Sequence, residues 1–204
     1  MPASWVKSLS RLAGNSQDRL LSQAVNVVRK VPLPESGTDD LSQALLRLAS
    51  ATNMNLELRL EAAAALPPRS LEPELFSLLI GNLDGELPLD HRAAAVDALT
   101  RARLSSDQLG ALAETIAHVV PLELNRLLAL YESVSDPAVG EKLIVSLQRS
   151  PILTSLRVDA LKQRIAKCPE PVQKQAEPLY AAINVEAGRQ KERLDELLTQ
   201  MGKG

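Results

Sequence analysis

Apolar residues recur along this chain at helical spacing, and no segment alternates apolar and polar residues for long enough to read as a strand. The first run places Trp5, Leu9 and Leu12 at i, i+4 and i+7 and predicts a helix over 4–13, ended by Gly14-Asn15. Ser16 caps a second helix that runs to about Lys30, with Leu20, Leu21, Ala24, Val27 and Val28 as its apolar stripe. Arg29 and Lys30 occupy its last turn, where the helix dipole favours cations, and Pro32 and Pro34 stop it. Further helices are predicted over 39–51, 56–66, 71–83, 89–102, 106–119, 121–132, 136–148, 156–166, 171–183 and 185–201. In 39–51 the expected buried face is Leu41, Leu45, Leu46 and Leu48; in 71–83 it is Leu75, Leu78, Leu79 and Leu83. The last segment is polar apart from Leu194, Leu197, Leu198 and Met201 on one face. The expected fold class is all-α, with about 10–12 helices.

One stretch comes back. Residues 56–66, Leu-Glu-Leu-Arg-Leu-Glu-Ala-Ala-Ala-Ala-Leu, align with residues 89–99, Leu-Asp-His-Arg-Ala-Ala-Ala-Val-Asp-Ala-Leu, at an offset of 33. Glu57 matches Asp90 and Arg59 matches Arg92. Another 33 residues on, Leu122-Glu123-Leu124-Asn125 repeats the opening, with Asn125 in the place of the arginine. A looser fourth copy begins at Leu156-Arg157. A fixed period of this length with helical patterning marks an array of helix–turn–helix units, each hiding its apolar face against its neighbours. The expected organisation is a single α-helical repeat domain over 1–204. Regular repeats cover about 56–167, an irregular N-terminal repeat or cap covers 1–50, and a capping or linker helix covers 185–204.

Composition sharpens this picture. Apolar residues make up 45% of the chain and aromatics only 2%, so the core must be built from Leu, Ala, Val and Ile. Small side chains let helix backbones approach closely. The single cysteine, Cys168, excludes an internal disulfide and a cysteine-rich metal site. No run of about 18 apolar residues exists, so no membrane span is expected. The opening Met1-Pro2-Ala3-Ser4-Trp5 lacks the apolar core of a secretory signal, and the compartment stays open.

The pattern of acidic residue, any residue, Arg, then an Ala-rich helix ending in Leu resembles the HEAT repeat of the armadillo-like group. The resemblance covers about half the chain. It implies an α-α superhelix of stacked antiparallel helix pairs. It also implies that Arg59, Arg92 and Arg157 join acidic residues such as Glu57 and Asp90 in a structural ladder, which Asn125 interrupts. The bulky aromatic positions of TPR units, the chief alternative, are missing here. The charged, Leu-spaced end from Arg193 to Gly204 also resembles the region before a C-terminal c-type haem domain in large exported proteins of planctomycete-type bacteria. That likeness implies a periplasmic or exported home if the chain is a fragment of such a protein. The chain itself has no Cys-x-x-Cys-His.

Charge is unevenly spread. Residues 36–140 carry seven basic and fifteen acidic side chains, whereas 1–35 carry five against two and 141–204 eleven against eight. An acidic middle argues against nucleic acid, whose phosphates need clustered Lys and Arg. Candidate chemistry is thin. His91 and His118 lack the spacing of a metal motif and read as packing or surface residues. Cys168 reads as a packing residue. Asp39, Asp40, Asp84, Glu86 and Asp90 do not fit a calcium loop. No phosphate loop or nucleophile motif is present. No catalytic, cofactor-binding or metal residue is expected, and the chain is expected not to be an enzyme. The expected function is a non-catalytic scaffold for protein–protein interaction or domain orientation. Its partner would be a protein with a basic patch, or adjoining domains of the same polypeptide. Trp5, Glu86 and Asp97 are the expected interaction surface. The alternative is a spacer module of a larger haem-binding redox protein, with the haem domain following Gly204.

Overall fold

The computed structural model describes residue 8 and residues 18–30 and 39–201. The expected helix over 4–13, with Trp5, otherwise lies outside the described residues, though Ser8 itself is helical. Among the described residues the fold is all-α, with no strand and one isolated bridge. No helix there is long and apolar enough to cross a membrane. The chain forms two compact units, residues 1–105 and 106–204.

Unit 1 holds α1 (Asp18–Lys30), α2 (Asp39–Ser50), α3 (Leu56–Ala64), α4 (Pro73–Ile80) and α5 (Leu89–Arg101). Helix α1 buries Leu21, Ala24, Val25 and Val28, whereas Val27 stays 38% exposed. At 100° per residue Val25 lies beside Leu21 and Val28, and Val27 turns away. Helix α2 buries Leu41, Ala44, Leu45, Leu48 and Ala49, with Leu46 only half-buried at the rim. Asn55 starts α3, its side-chain Oδ1 accepting the Glu57 N–H at 2.7 Å.

The two best copies of the repeat are α3 and α5, and they pack on each other more extensively than any other pair of helices. The alanines are the reason. Ala62, Ala63 and Ala64 on α3, and Ala94, Ala95 and Ala98 on α5, are all buried. The chain after each helix keeps the same register: Ser70 bridges Arg103, and the Arg103 N–H donates to the Arg69 carbonyl at 2.8 Å. Ser70 and Arg103 stand 33 residues apart, so the sequence period is also the stacking period of this pair. The leucine that opens each copy does not serve the core. Leu56, Leu89 and Leu122 are 37%, 58% and 71% exposed.

Unit 2 holds α6 (Ser106–Thr115), α7 (Pro121–Leu128), α8 (Pro137–Arg149), α9 (Val158–Arg164), α10 (Glu170–Gln175) and α11 (Glu177–Met201), with 3₁₀ turns at Ile116–His118, Ala129–Tyr131 and Leu153–Ser155. Helix α8 packs on α6 and on α10. Its Gly140 lies so close to α10 that a Cβ there would stand 2.8 Å from Val172 Cγ1 and 3.2 Å from Cys168 Sγ. Tyr131 is fully buried and donates its hydroxyl to the Leu109 carbonyl at 2.9 Å. Burial pushes its hydroxyl far above the ordinary tyrosine range.

The C-terminal helices depart from the expected boundaries. The expected break near residue 184 is absent. The chain breaks instead at Ala176, and α11 runs unbroken from Glu177 to Met201. Pro178 explains the shift, because proline lacks the N–H an ongoing helix needs but fits a first turn.

Candidate functional site

A cleft of about 310 Å³ opens in unit 1. Three helices build it. Helix α1 contributes Asn26 and Arg29, α3 contributes Glu57, Leu60 and Glu61, and α5 contributes Asp90, His91 and Ala93. Glu57 and Asp90 hold the same repeat position in the first turns of α3 and α5, where the positive helix end favours a carboxylate. Stacking the two copies therefore brings the two acids to one side. Glu61 lies one turn after Glu57 on the same face of α3.

Arg29 ties the cleft together. Its Nη2 donates to Asp97 Oδ2 at 2.6 Å, and its Nη1 lies 3.9 Å from Glu61 Oε1. All three side chains are about one-fifth to one-quarter exposed. Burial pushes the Glu61 carboxyl above its usual range; Arg29 opposes that rise, and Glu57 and Asp90 add to it by like-charge repulsion. Three carboxylates and one arginine already engaged with Asp97 leave the cleft with an excess of negative charge. It offers acceptors to a cation and, at Ala93, a small apolar contact.

The other expected residues are spread out. Arg59 donates its Nε to the Ala49 carbonyl at 3.1 Å, capping the end of α2. Arg92 donates to the carbonyls of Gly85, at 3.0 Å, and of Leu87 in the turn before its own helix. Arg157 precedes α9 instead of standing in its first turn, and is 3.8 Å from Asp159 on an open surface. Glu86 is exposed in the turn before α5, its N–H bonded to Asp84 Oδ1 at 2.9 Å. Asp97 sits at the edge of the cleft as the partner of Arg29. Trp5 lies outside the described residues. His91, read from sequence as a packing or surface residue, is half-buried on the cleft wall. Asn26, Arg29 and Glu61 escaped the sequence reading. The one available signal was the i, i+4 spacing of Glu57 and Glu61; nothing local links Arg29 to Asp97, 68 residues away.

Unit 2 carries an open groove of about 610 Å³ between Glu114 and the outer face of α8, where Glu141, Lys142, Val145 and Arg149 alternate in character. Lys142 is bonded to Glu114 at 2.7 Å, and the groove has no excess of one sign. Cys168 is buried, which pushes its thiol above the ordinary cysteine range, and the thiol is directed at the Val134 carbonyl at 3.5 Å. Among the described residues, no group of three or more His, Cys, Asp or Glu side chains is placed to hold a metal ion. No family model, no curated protein and no solved structure matches the chain.

Proposed function

We propose that this chain is a non-catalytic scaffold for protein–protein interaction, and that the cleft of unit 1 receives Lys or Arg side chains from a basic segment of its partner. The observation that carries this reading is the meeting of Glu57, Glu61 and Asp90 around one cavity, with Arg29 turned onto Asp97. A cavity of about 310 Å³ has room for one or two long side chains, and a Lys or Arg stem would lie along Ala93 while its charged end meets the carboxylates. Charge of this kind speeds encounter and selects partners more than it adds affinity. The exposed Leu56 and Leu89, beside Glu57 and Asp90 in sequence, offer apolar contacts at the rim. The HEAT-like reading agrees with this role, because stacked helix pairs present preformed extended surfaces.

A fluorescent Lys-rich helical peptide tests the proposal by anisotropy titration. Binding is expected at low salt, with an affinity that falls as salt rises. The paired change Glu57→Lys with Asp90→Lys should abolish it, while Glu141→Lys in unit 2 leaves it intact. Binding that ignores salt, or that survives the paired change, would overturn the assignment of the cleft.

A further inference from the structure

Arg29 lines the cleft of unit 1 and has two acids within reach. Its Nη2 donates to Asp97 Oδ2 at 2.6 Å, a full charge-assisted hydrogen bond. Its Nη1 stands 3.9 Å from Glu61 Oε1, beyond hydrogen-bond length. The two acids belong to different parts of the fold. Glu61 is on the cleft wall, one turn after Glu57 on α3. Asp97 is on α5 two turns after Asp90, about 10 Å further along the helix, and does not line the cleft itself. The guanidinium is therefore drawn toward the middle of α5 and away from the first turns of α3 and α5, where Glu57 and Asp90 stand.

A second arrangement of the same side chain is close at hand. Moving the guanidinium about 1 Å toward Glu61 would turn the 3.9 Å separation into a hydrogen bond. Arg29 already acts on that carboxyl, lowering its pKa against the rise that burial causes. The side chains of Arg29, Glu61 and Asp97 are all about one-fifth to one-quarter exposed, so water screens these attractions only in part. The two arrangements leave different clefts. With Arg29 on Asp97, the carboxylates of Glu57, Glu61 and Asp90 face the cavity with their charge uncancelled. With Arg29 on Glu61, one of the three is neutralised, and the guanidinium occupies space that an incoming cation would use.

We propose that Asp97 is a positioning residue: it holds Arg29 off Glu61 and so keeps the carboxylates of the cleft open to a Lys or Arg of the partner. This rests on the reading of the cleft as the site for a basic segment. Arg29 is then a competitor built into the site, and Asp97 sets how strongly it competes. Asp97 does not line the cleft, so it acts on the partner through Arg29.

The test is a cycle of Asp97→Ala, Arg29→Gln and the two together in the full chain, with two readouts. The first is titration of the Glu61 carboxyl by carbon NMR, its signal assigned by its loss in Glu61→Gln. Arg29→Gln removes a cation near Glu61, so it should raise the titration midpoint in either background. If Asp97 holds Arg29 away, that rise should be larger by at least about 0.5 pH in the Asp97→Ala background, where Arg29 is free to close on Glu61. Loss of the Asp97 charge alone adds the same amount with or without Arg29, so it cancels in this comparison. Equal rises in the two backgrounds overturn the proposal. The second readout is anisotropy with the Lys-rich helical peptide. Asp97→Ala should weaken binding by about tenfold when residue 29 is Arg and by no more than about twofold when it is Gln, and Asp97→Glu should recover most of the loss. Equal losses with Arg and with Gln at position 29 also overturn it. A parent chain that does not bind the peptide at any salt concentration overturns the reading of the cleft, while the Glu61 titration still decides whether Asp97 positions Arg29.

Discussion

Replacing Gly140 by alanine is expected to destabilise unit 2, although the same replacement at Gly188 is expected to stabilise it. Both glycines lie inside helices, α8 and α11. In an exposed helix Gly→Ala gains up to about 1 kcal/mol of helix propensity. At Gly188 nothing opposes that gain. At Gly140 the new methyl would stand 2.8 Å from Val172 Cγ1 and 3.2 Å from Cys168 Sγ. Val172 is fully buried and β-branched, so it cannot swing aside as a long flexible side chain would. Forcing a methyl into a contact as short as 2.8 Å against a side chain that cannot yield costs about 2–3 kcal/mol, the upper part of the range for overpacking, which outweighs the propensity gain of up to about 1 kcal/mol and leaves a net loss of about 1–2 kcal/mol. For a unit of this size that lowers the melting midpoint by roughly 4–16 °C. The assay is urea unfolding followed by tyrosine near-UV dichroism, because Tyr131 and Tyr180 are the only tyrosines and both lie in unit 2. Val172→Ala added to Gly140→Ala should recover part of the loss, with a coupling of about 1 kcal/mol or more between the two sites. A Gly140→Ala chain as stable as Gly188→Ala would refute the argument that contact with α10 decides the sign.

The carboxyl of Glu61 is raised in the fold, so at neutral pH the folded state carries a cost that is relieved as pH falls and the group protonates. Glu61→Gln should therefore stabilise unit 1 at pH 7 and lose that advantage at a pH below the ordinary glutamate range, as read by denaturant melts at both pH values. For Tyr131, the raised hydroxyl means stability that is present below the usual tyrosine range near pH 10 and is lost as pH climbs above it. Ultraviolet titration should show that Tyr131 ionises only when the chain unfolds. Tyr131→Phe should cost about 1–2 kcal/mol, the loss of its hydrogen bond to Leu109. Asp136→Ala removes the side chain that accepts the Ala138 N–H at 2.9 Å and should lower the stability of unit 2 by about 1 kcal/mol.

Much of the fold was written locally. Helix starts at Asp39, Leu89, Ser106 and Pro121, and most of the apolar faces expected for α2 and α4, follow from residues within one or two turns of each other, although Leu46 and Leu78 are only half-buried and Phe76, which was not expected, is buried. The 33-residue period is also plain in sequence, and in α3 and α5 it reappears as the offset between Ser70 and Arg103. Tertiary structure decided the rest. Arg59 reaches the Ala49 carbonyl and Arg92 the carbonyls of Gly85 and Leu87, and only the folded chain shows which carbonyls lie beside each guanidinium. Arg29 looked like a dipole-compensating residue at the end of α1, yet the stacking of α1, α3 and α5 turns it onto Asp97 and sets it near Glu61. The same stacking assembles Glu57, Glu61 and Asp90 into one cleft and leaves Glu86 outside it. Helical periodicity acts over four residues and so can be read along the chain. The faces that meet across helices are chosen by close packing of small side chains such as Ala95 and Gly140, and only the folded arrangement shows which residues those contacts bring together.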